Sequence, residues 1–340
     1  MSEADDDGRP EAPAVAQLRA TAEARAITAK LTPAQRKLLD TSARIFDEPA
    51  TKQDAAYLPR ELIQVTLPHK NPGDIPVWRR TNGNLTLGIQ PGANLTTGQS
   101  YGYPYGTIPR LLLFWVTTEA IRTKNRRLEL GHSLRSFMAA LGLNSSNGSS
   151  GAKRSDARRL RDQMQRLFRA RLSFQGTHER PGELEETRLD MLVAEKSQYW
   201  WSHKQPEQGA LWGSWIELGE KFFAAITAYP VPADIRALKA LKQSPLALDL
   251  YAWLTYEAFR AHKSGKPRFE NWTQLHSHFG AEYARPSDFR RKAKSSIRKI
   301  NTVYPSLKLG DRQGGIQILP ESWPAIQPRS TIPTGLFRTL

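Results

Sequence analysis

A chain of 340 residues has room for two domains of ordinary size. Its 49 Lys and Arg against 33 Asp and Glu leave a net +16, a field that favours a polyanion such as DNA, RNA or an anionic membrane surface. The absence of cysteine excludes disulfides, thiol nucleophiles and cysteine-ligated zinc. Residues 1–56 read as a tail. MSEADDDGRPEAPA is acidic and lacks large apolar residues, which predicts disorder. Acids from Met1 to Glu11 stand where a signal peptide would be basic, and no apolar run nears the ~18 residues of a spanning helix. A soluble, cytoplasmic protein without a membrane partner is expected. Ala14–Lys30 reads as an Ala-rich solvated helix, and Thr32-Pro33 opens another through Phe46.

From residue 57 the chain has the composition of packed structure. LIQVTLP (62–68) reads as a strand, and VWRRTNGNLTLGI (77–89) as a hairpin turning at Asn82-Gly83. Gly102-Tyr-Pro-Tyr-Gly106 is a rigid aromatic turn, with tyrosines expected to pack on the following helix rather than stack on bases. PRLLLFWVTTEAIR (109–122) is apolar almost all round and reads as a buried helix. Leu128–Leu130 is a short strand. Ser133 then caps SLRSFMAALGL, which Gly142 ends, and the polar connector NSSNGSSG (144–151) follows.

Lys153–Phe174 reads as a helix with two opposed faces. Leu160, Met164, Leu167 and Phe168 form one stripe at the 3.6-residue period. Arg154, Arg158, Arg161, Gln165 and Arg169 project from the other side, widened by Arg159 and Arg166, with only Asp156 and Asp162 against them. A merely solvated face mixes signs so that i,i+4 pairs form, and this one does not. Such a helix suits phosphates and can offer Arg and Gln to base edges. Strands around Leu172–Gln175, Thr187–Ala194 and Leu211–Leu218 complete a sheet and wing, which Tyr199, Trp200, Trp201, Trp212 and Trp215 are expected to pack. Glu183, Glu185 and Glu186 fall in a polar loop between them.

Pro230-Val-Pro232 reads as a boundary, after which the pattern recurs. PLALDLYAWLTYEAFRAH (245–262) is a second apolar helix, Arg268-Phe-Glu270 parallels Arg127-Leu-Glu129, and NWTQLHSHFG parallels SLRSFMAALG. Ser287-Asp-Phe-Arg-Arg291 then matches Ser155-Asp-Ala-Arg-Arg159 and opens a second basic helix. Phe289, Ala293, Ile297, Ile300 and Tyr304 make its inner stripe; Ser287, Arg290, Arg291, Lys294, Ser295, Arg298 and Lys299 are its candidate DNA-binding residues. LKLGDRQGGIQILP (307–320) reads as a hairpin around Gly314-Gly315. The fold class is therefore α+β: a disordered or partly helical tail (1–56) and two tandem winged helix-turn-helix domains (57–229 and 230–340).

No catalytic constellation stands out, and no cofactor is implied. Gly148-Ser-Ser-Gly-Ala-Lys-Arg-Ser155 fails the spacing of a phosphate loop. His276 and His278, two apart on a helix, point in different directions and do not suit a shared metal. The expectation is a binding protein and not an enzyme.

Several strings are similar to those of the RepA-type plasmid replication initiators of Gram-negative bacteria. They are Leu67-Pro-His69 with Trp78-Arg-Arg80, Gly106-Thr-Ile-Pro-Arg110, Glu119-Ala-Ile-Arg-Thr123 and Leu130-Gly-His-Ser-Leu134. Phe137-Met138, Leu141-Gly142 and Arg166-Leu-Phe168 extend the likeness, which covers roughly Leu58–Phe223, and to about Pro320 by domain plan. The resemblance implies binding to repeated duplex sites (iterons) in a plasmid origin, recruitment of host DnaA and DnaB, and a monomer–dimer equilibrium whose dimer represses its own gene. The rival expectations are a double winged-helix transcriptional regulator, an origin-nicking enzyme with metal and tyrosine chemistry, and an RNA-binding protein.

Overall fold

The computed structural model describes residues 31–48, 50–131, 133–143, 156–180, 183–199, 213–280 and 282–326. Its first element is α1 (Pro33–Asp47), opened by a capping box in which the Thr32 hydroxyl accepts from Gln35 N. Then come β1 (Ala55–Pro59), α2 (Arg60–Gln64), β2 (Trp78–Asn82) and β3 (Leu85–Gln90). The apolar run at 109–122 lies in α3 (Thr107–Thr123), buried on nearly every side. It is followed by β4 (Arg127–Glu129), α4 (Leu134–Ala140) and the first basic helix, α5 (Asp156–Phe168). Next are β5 (Arg171–Arg180), β6 (Glu183–Leu192), β7 (Ala194–Gln198), β8 (Trp215–Leu218), α6 (Glu220–Ala228), β9 (Pro230–Asp234) and α7 (Ile235–Leu241). The second apolar helix, α8 (Pro245–Ser264), precedes β10 (Arg268–Asn271), α9 (Trp272–Phe279), the second basic helix α10 (Pro286–Val303), β11 (Leu309–Gly310) and β12 (Gly315–Ile318).

The fold is thus mixed α+β, with four small antiparallel sheets: β1-β9, β2-β3-β5-β6, β4-β8-β7 and β10-β12-β11. The recurrence of helix, strand, helix, basic helix and hairpin is present in element order. The two stretches differ in pairing. β10 joins the hairpin strand that follows α10, whereas β4 joins β8 and the hairpin after α5 joins β3.

Five local expectations are corrected. Residues 62–68 form no strand: α2 takes Leu62 and Ile63 into the core, and the backbone after it finds side-chain partners. Asn82 Nδ2 donates to Gln64 O (2.9 Å), His278 Nε2 to Ile63 O (3.0 Å), and Arg110 to the carbonyls of Leu67 (2.6 Å) and Pro68 (3.0 Å). A segment whose carbonyls are satisfied this way needs no neighbouring strand. The hairpin turns one residue later than expected, with Asn82 opposite Leu85 and the positive φ (58°) at Gly83. The first basic helix stops at Phe168, and Leu172 and Phe174 belong to β5. Glu183, Glu185 and Glu186 lie in β6 and not in a loop. Pro230 and Pro232 are not linker residues either, since β9 pairs with β1 with Pro59 opposite Pro230. Proline is tolerated there because the sheet has only two strands, both edges.

One contiguous core runs through both halves, from Leu112, Leu160 and Ile216 to Leu254, Phe279 and Ile300. A buried ionic cluster crosses it. Arg110 of α3 donates through Nε and Nη2 to the two carboxylate oxygens of Asp249 on α8 (2.7 and 2.8 Å), and His69 Nε2 donates to the same carboxylate (2.8 Å). Arg80 of β2 donates to Glu282 (2.9 Å), which also accepts from the backbone of His69 and Lys70. Burial alone would raise the Asp249 pKa. The Arg110 charge and the hydrogen bonds from His69 and Arg110 outweigh it and hold the carboxyl well below its usual range.

Burial also pushes His278 down from 6.5 to about 4, so the imidazole packs neutral against Phe279. The unfolded chain then binds a proton between these values that the folded chain does not. Stability is full above pH 6.5 and falls as pH drops from 6.5 toward 4, by about 3 kcal/mol from this one residue. Urea midpoints measured at pH 7.5 and 4.5 should show this loss, and His278→Gln should reduce it. An unchanged pH slope in that variant would assign the effect to other groups.

Candidate nucleic-acid interface

Helix α5 is set in place by its apolar stripe. Leu160, Met164, Leu167 and Phe168 are buried, each stabilising the docking by roughly 1.5–3 kcal/mol. The exposed pair between Arg159 Nη1 and Asp156 Oδ1 (3.1 Å) adds at most about 1 kcal/mol, so packing decides which face is presented. That face carries Arg158 and Arg159 exposed, with Arg161, Gln165 and Arg166 half-buried along its margins and Arg169 exposed just past the helix end. Arg154 lies outside the described residues, as do Ser155, the connector 144–151, and Trp200, Trp201 and Trp212.

The aromatic turn at 102–106 packs on this helix. Gln163, which the period alone did not single out, is buried and accepts from Tyr105 N (2.9 Å). Arg166 donates to Tyr103 O (3.3 Å) with its guanidinium 5.3 Å from the Tyr105 ring centre, and Arg169 lies 4.8 Å from that of Tyr101. Gly102 has φ +76°, a left-handed backbone that favours glycine, and it lies against the tip of Arg166, where a Cβ would fall 2.9 Å from Nη1.

Helix α10 repeats the device. Phe289, Ala293, Ile297, Ile300 and Tyr304 are buried as expected, together with Ser296 and Val303. Ser287, Arg290, Arg291, Lys294, Arg298 and Lys299 are exposed, while Ser295 is half-buried at the margin. Arg291 Nη2 donates to Asp288 Oδ1 (2.9 Å), which matches the Arg159–Asp156 pair of the first helix. Arg290 and Lys294 lie 5.4 and 5.9 Å from the ring centre of Trp272, the first residue of α9. In the following hairpin Arg312 sits 3.9 Å from that of Phe269.

A cation held over a ring keeps its charge at the surface while losing rotamer freedom before any partner arrives. Trp272, Phe269, Tyr101 and Tyr105 were not singled out as site residues. Phe269 and Trp272 lie in the strand and helix just before α10, whereas Tyr101 and Tyr105 lie ahead of α3, more than fifty residues before α5, so spacing along the chain marks the first pair and not the second. The hairpin β5–β6 is different: Glu185 and Glu186 are exposed on it, and carboxylates at those positions repel phosphate. His276 and His278 diverge, one edge-on to Phe289 and the other bonded to Ile63 O. Among the described residues no cluster of His, Asp or Glu could hold a metal ion, and no helix is long and apolar enough to cross a membrane.

Two cationic helix faces, each braced by aromatic rings and each followed by a hairpin, thus recur along the chain. The chain belongs to the plasmid-encoded RepA protein family, whose model matches residues 103–273, half of its length. The match runs from the aromatic turn through α5 to the start of α9. It leaves out α10 and the strings at 67–69 and 78–80. No curated protein matches the chain. Among solved structures, a crystal structure of RctB domains 2–3 is similar at 10% identity, covering 76% of this chain and 94% of that one, with a TM-score of 0.45. A selenomethionine derivative of the same two RctB domains gives 12% identity, 76% and 97% coverage, and 0.46. At these values the likeness is one of general layout and carries no functional weight.

Proposed function

We propose that this RepA-family chain is a plasmid replication initiator that binds repeated duplex sites, iterons, in its origin through α5 and α10, without catalysis of its own. The observation that carries the reading is the repeated basic helix with outward cations seated on aromatic rings. In this reading residues 57–229 and 230–340 are two tandem winged-helix units, with 1–56 as an arm. Each basic helix enters a major groove of duplex DNA, and successive grooves on one face lie one helical turn apart. Arg and Lys on the rims hold phosphates, and Arg158, Gln165, Arg291 and Ser287 are the candidates to meet base edges. Arg312 in the second hairpin is placed to add a phosphate contact, whereas the carboxylates of β6 are not. Recruitment of host DnaA and DnaB, and repression by a dimer, belong to the same reading and rest on the family alone.

The test is selection from a random duplex pool by the purified chain at ~150 mM salt, where purely electrostatic binding is suppressed. The expected product is a long site with two determinants separated by about one turn. Binding that ignores sequence and vanishes with salt would reduce the chain to a nonspecific polyanion binder. Preference for single-stranded or A-form RNA would replace DNA with RNA.

A further inference from the structure

Beside α5 stands a finger, residues 93–100, that contributes nothing to the core. Residues 91–105 carry no charged side chain. Within them, 93–100 form a tight finger closed by an Ala93–Ser100 bridge, by Asn94 N to Gln99 O (2.8 Å) and by Gly98 N to Asn94 O (2.7 Å). The Asn94 side chain accepts from Thr96 N and Thr97 N (2.9 and 3.3 Å). At the tip is Leu95, 94% exposed, the most solvent-exposed large apolar side chain among the described residues. The turn itself asks nothing of position 95, since asparagine and glycine supply its hydrogen bonds and its positive φ. A single exposed leucine is ordinary on a protein surface; what sets this one apart is the closed, uncharged frame that holds it outward above a root flanked by arginines.

The root of the finger is tied to the basic helix. Gly92 stands so close to Arg169 that a Cβ would fall 2.4 Å from its carbonyl oxygen, and Tyr101 N closes the base on Gly92 O (2.9 Å). Tyr101 is also the ring beneath Arg169, and Gln90, at the end of β3, pairs with Arg171. Arg169 and Arg171 are both exposed, so two cations flank the root of an uncharged, apolar-tipped finger. From Gly92 the tip extends about 10 Å.

An apolar tip carried on a root flanked by two exposed arginines suits one occupant, a base step of duplex DNA beside the groove that α5 would enter. We propose that Leu95 is a wedge that unstacks one base step next to the site of the first basic helix, with Arg169 and Arg171 on the flanking phosphates. The inference rests on the reading of the chain as a sequence-selective duplex binder. If it holds, the chain deforms DNA by a device separate from its two base-reading helices, which favours flexible pyrimidine–purine steps at that position.

The test uses the full chain and the duplex recovered by selection, with 2-aminopurine substituted at successive positions. Wild type is expected to raise fluorescence at one step flanking the determinant of α5. Leu95→Ser, on an exposed tip that bears no core packing, should abolish that rise and weaken binding about tenfold. The salt slope should stay unchanged, because no phosphate contact is removed. A selective wild type with a variant of equal fluorescence and affinity overturns the wedge alone, as does weaker binding with the fluorescence rise intact. A wild type that selects no duplex overturns the functional reading, and the wedge with it.

Discussion

Asp249→Ala is expected to lower the free energy of unfolding by about 3–5 kcal/mol, the cost of leaving a buried charge without its partner. Arg110 is only 4% exposed, and after the substitution it would face the carbonyls of Leu67, Pro68 and Gly106 with no anion. His69 would lose its acceptor as well. The isosteric apolar pair Arg110→Met with Asp249→Leu should recover much of the loss, because both charges then leave together. Urea unfolding followed by tryptophan fluorescence measures both. A double variant no more stable than Asp249→Ala would show that the cluster acts through its hydrogen bonds to the backbone and not through charge balance.

Joint replacement Arg158→Ala and Arg291→Ala should weaken binding to the selected duplex by about 2–6 kcal/mol, roughly 30- to 2 × 10⁴-fold. The two residues sit on separate helices, so their effects should add. Neither bears the core, and the fold should be unaffected. Titration at fixed salt gives the magnitude, and repeated selection with each single variant gives the cause. Relaxed preference at one position of the site identifies a base contact. A loss uniform over all sequences means that the arginine holds phosphate only.

Much of this arrangement was legible from spacing. Both basic helices, their inner stripes, the two apolar helices and the closing hairpin at 307–320 declare themselves through periodicity and glycine turns, which are local signals. What failed to declare itself is long-range. LIQVTLP has the composition of a strand, and only the side chains of Asn82, Arg110 and His278, brought in from elsewhere, explain why it needs no partner strand. Pro230-Val-Pro232 looks like punctuation until Ala55–Pro59 is laid beside it. The outward face of α5 was correct as a face, but its margins depended on the preceding loop. Arg166 is drawn half under cover by Tyr103 and Tyr105, which no helical period encodes. The seats at Trp272 and Phe269 are of the same kind.

The pairing of β1 with β9 has a consequence for how the chain is made. Ala55 lies opposite Asp234, 179 positions further on. At about 5–20 residues per second, the ribosome needs roughly ten to forty seconds to deliver that partner. For this interval the first strand leaves the exit tunnel with both edges bare and with Tyr57 and Leu58 unshielded. The nascent first half is thus the stage at which a chaperone, or a neighbouring nascent copy, has its best opportunity to bind.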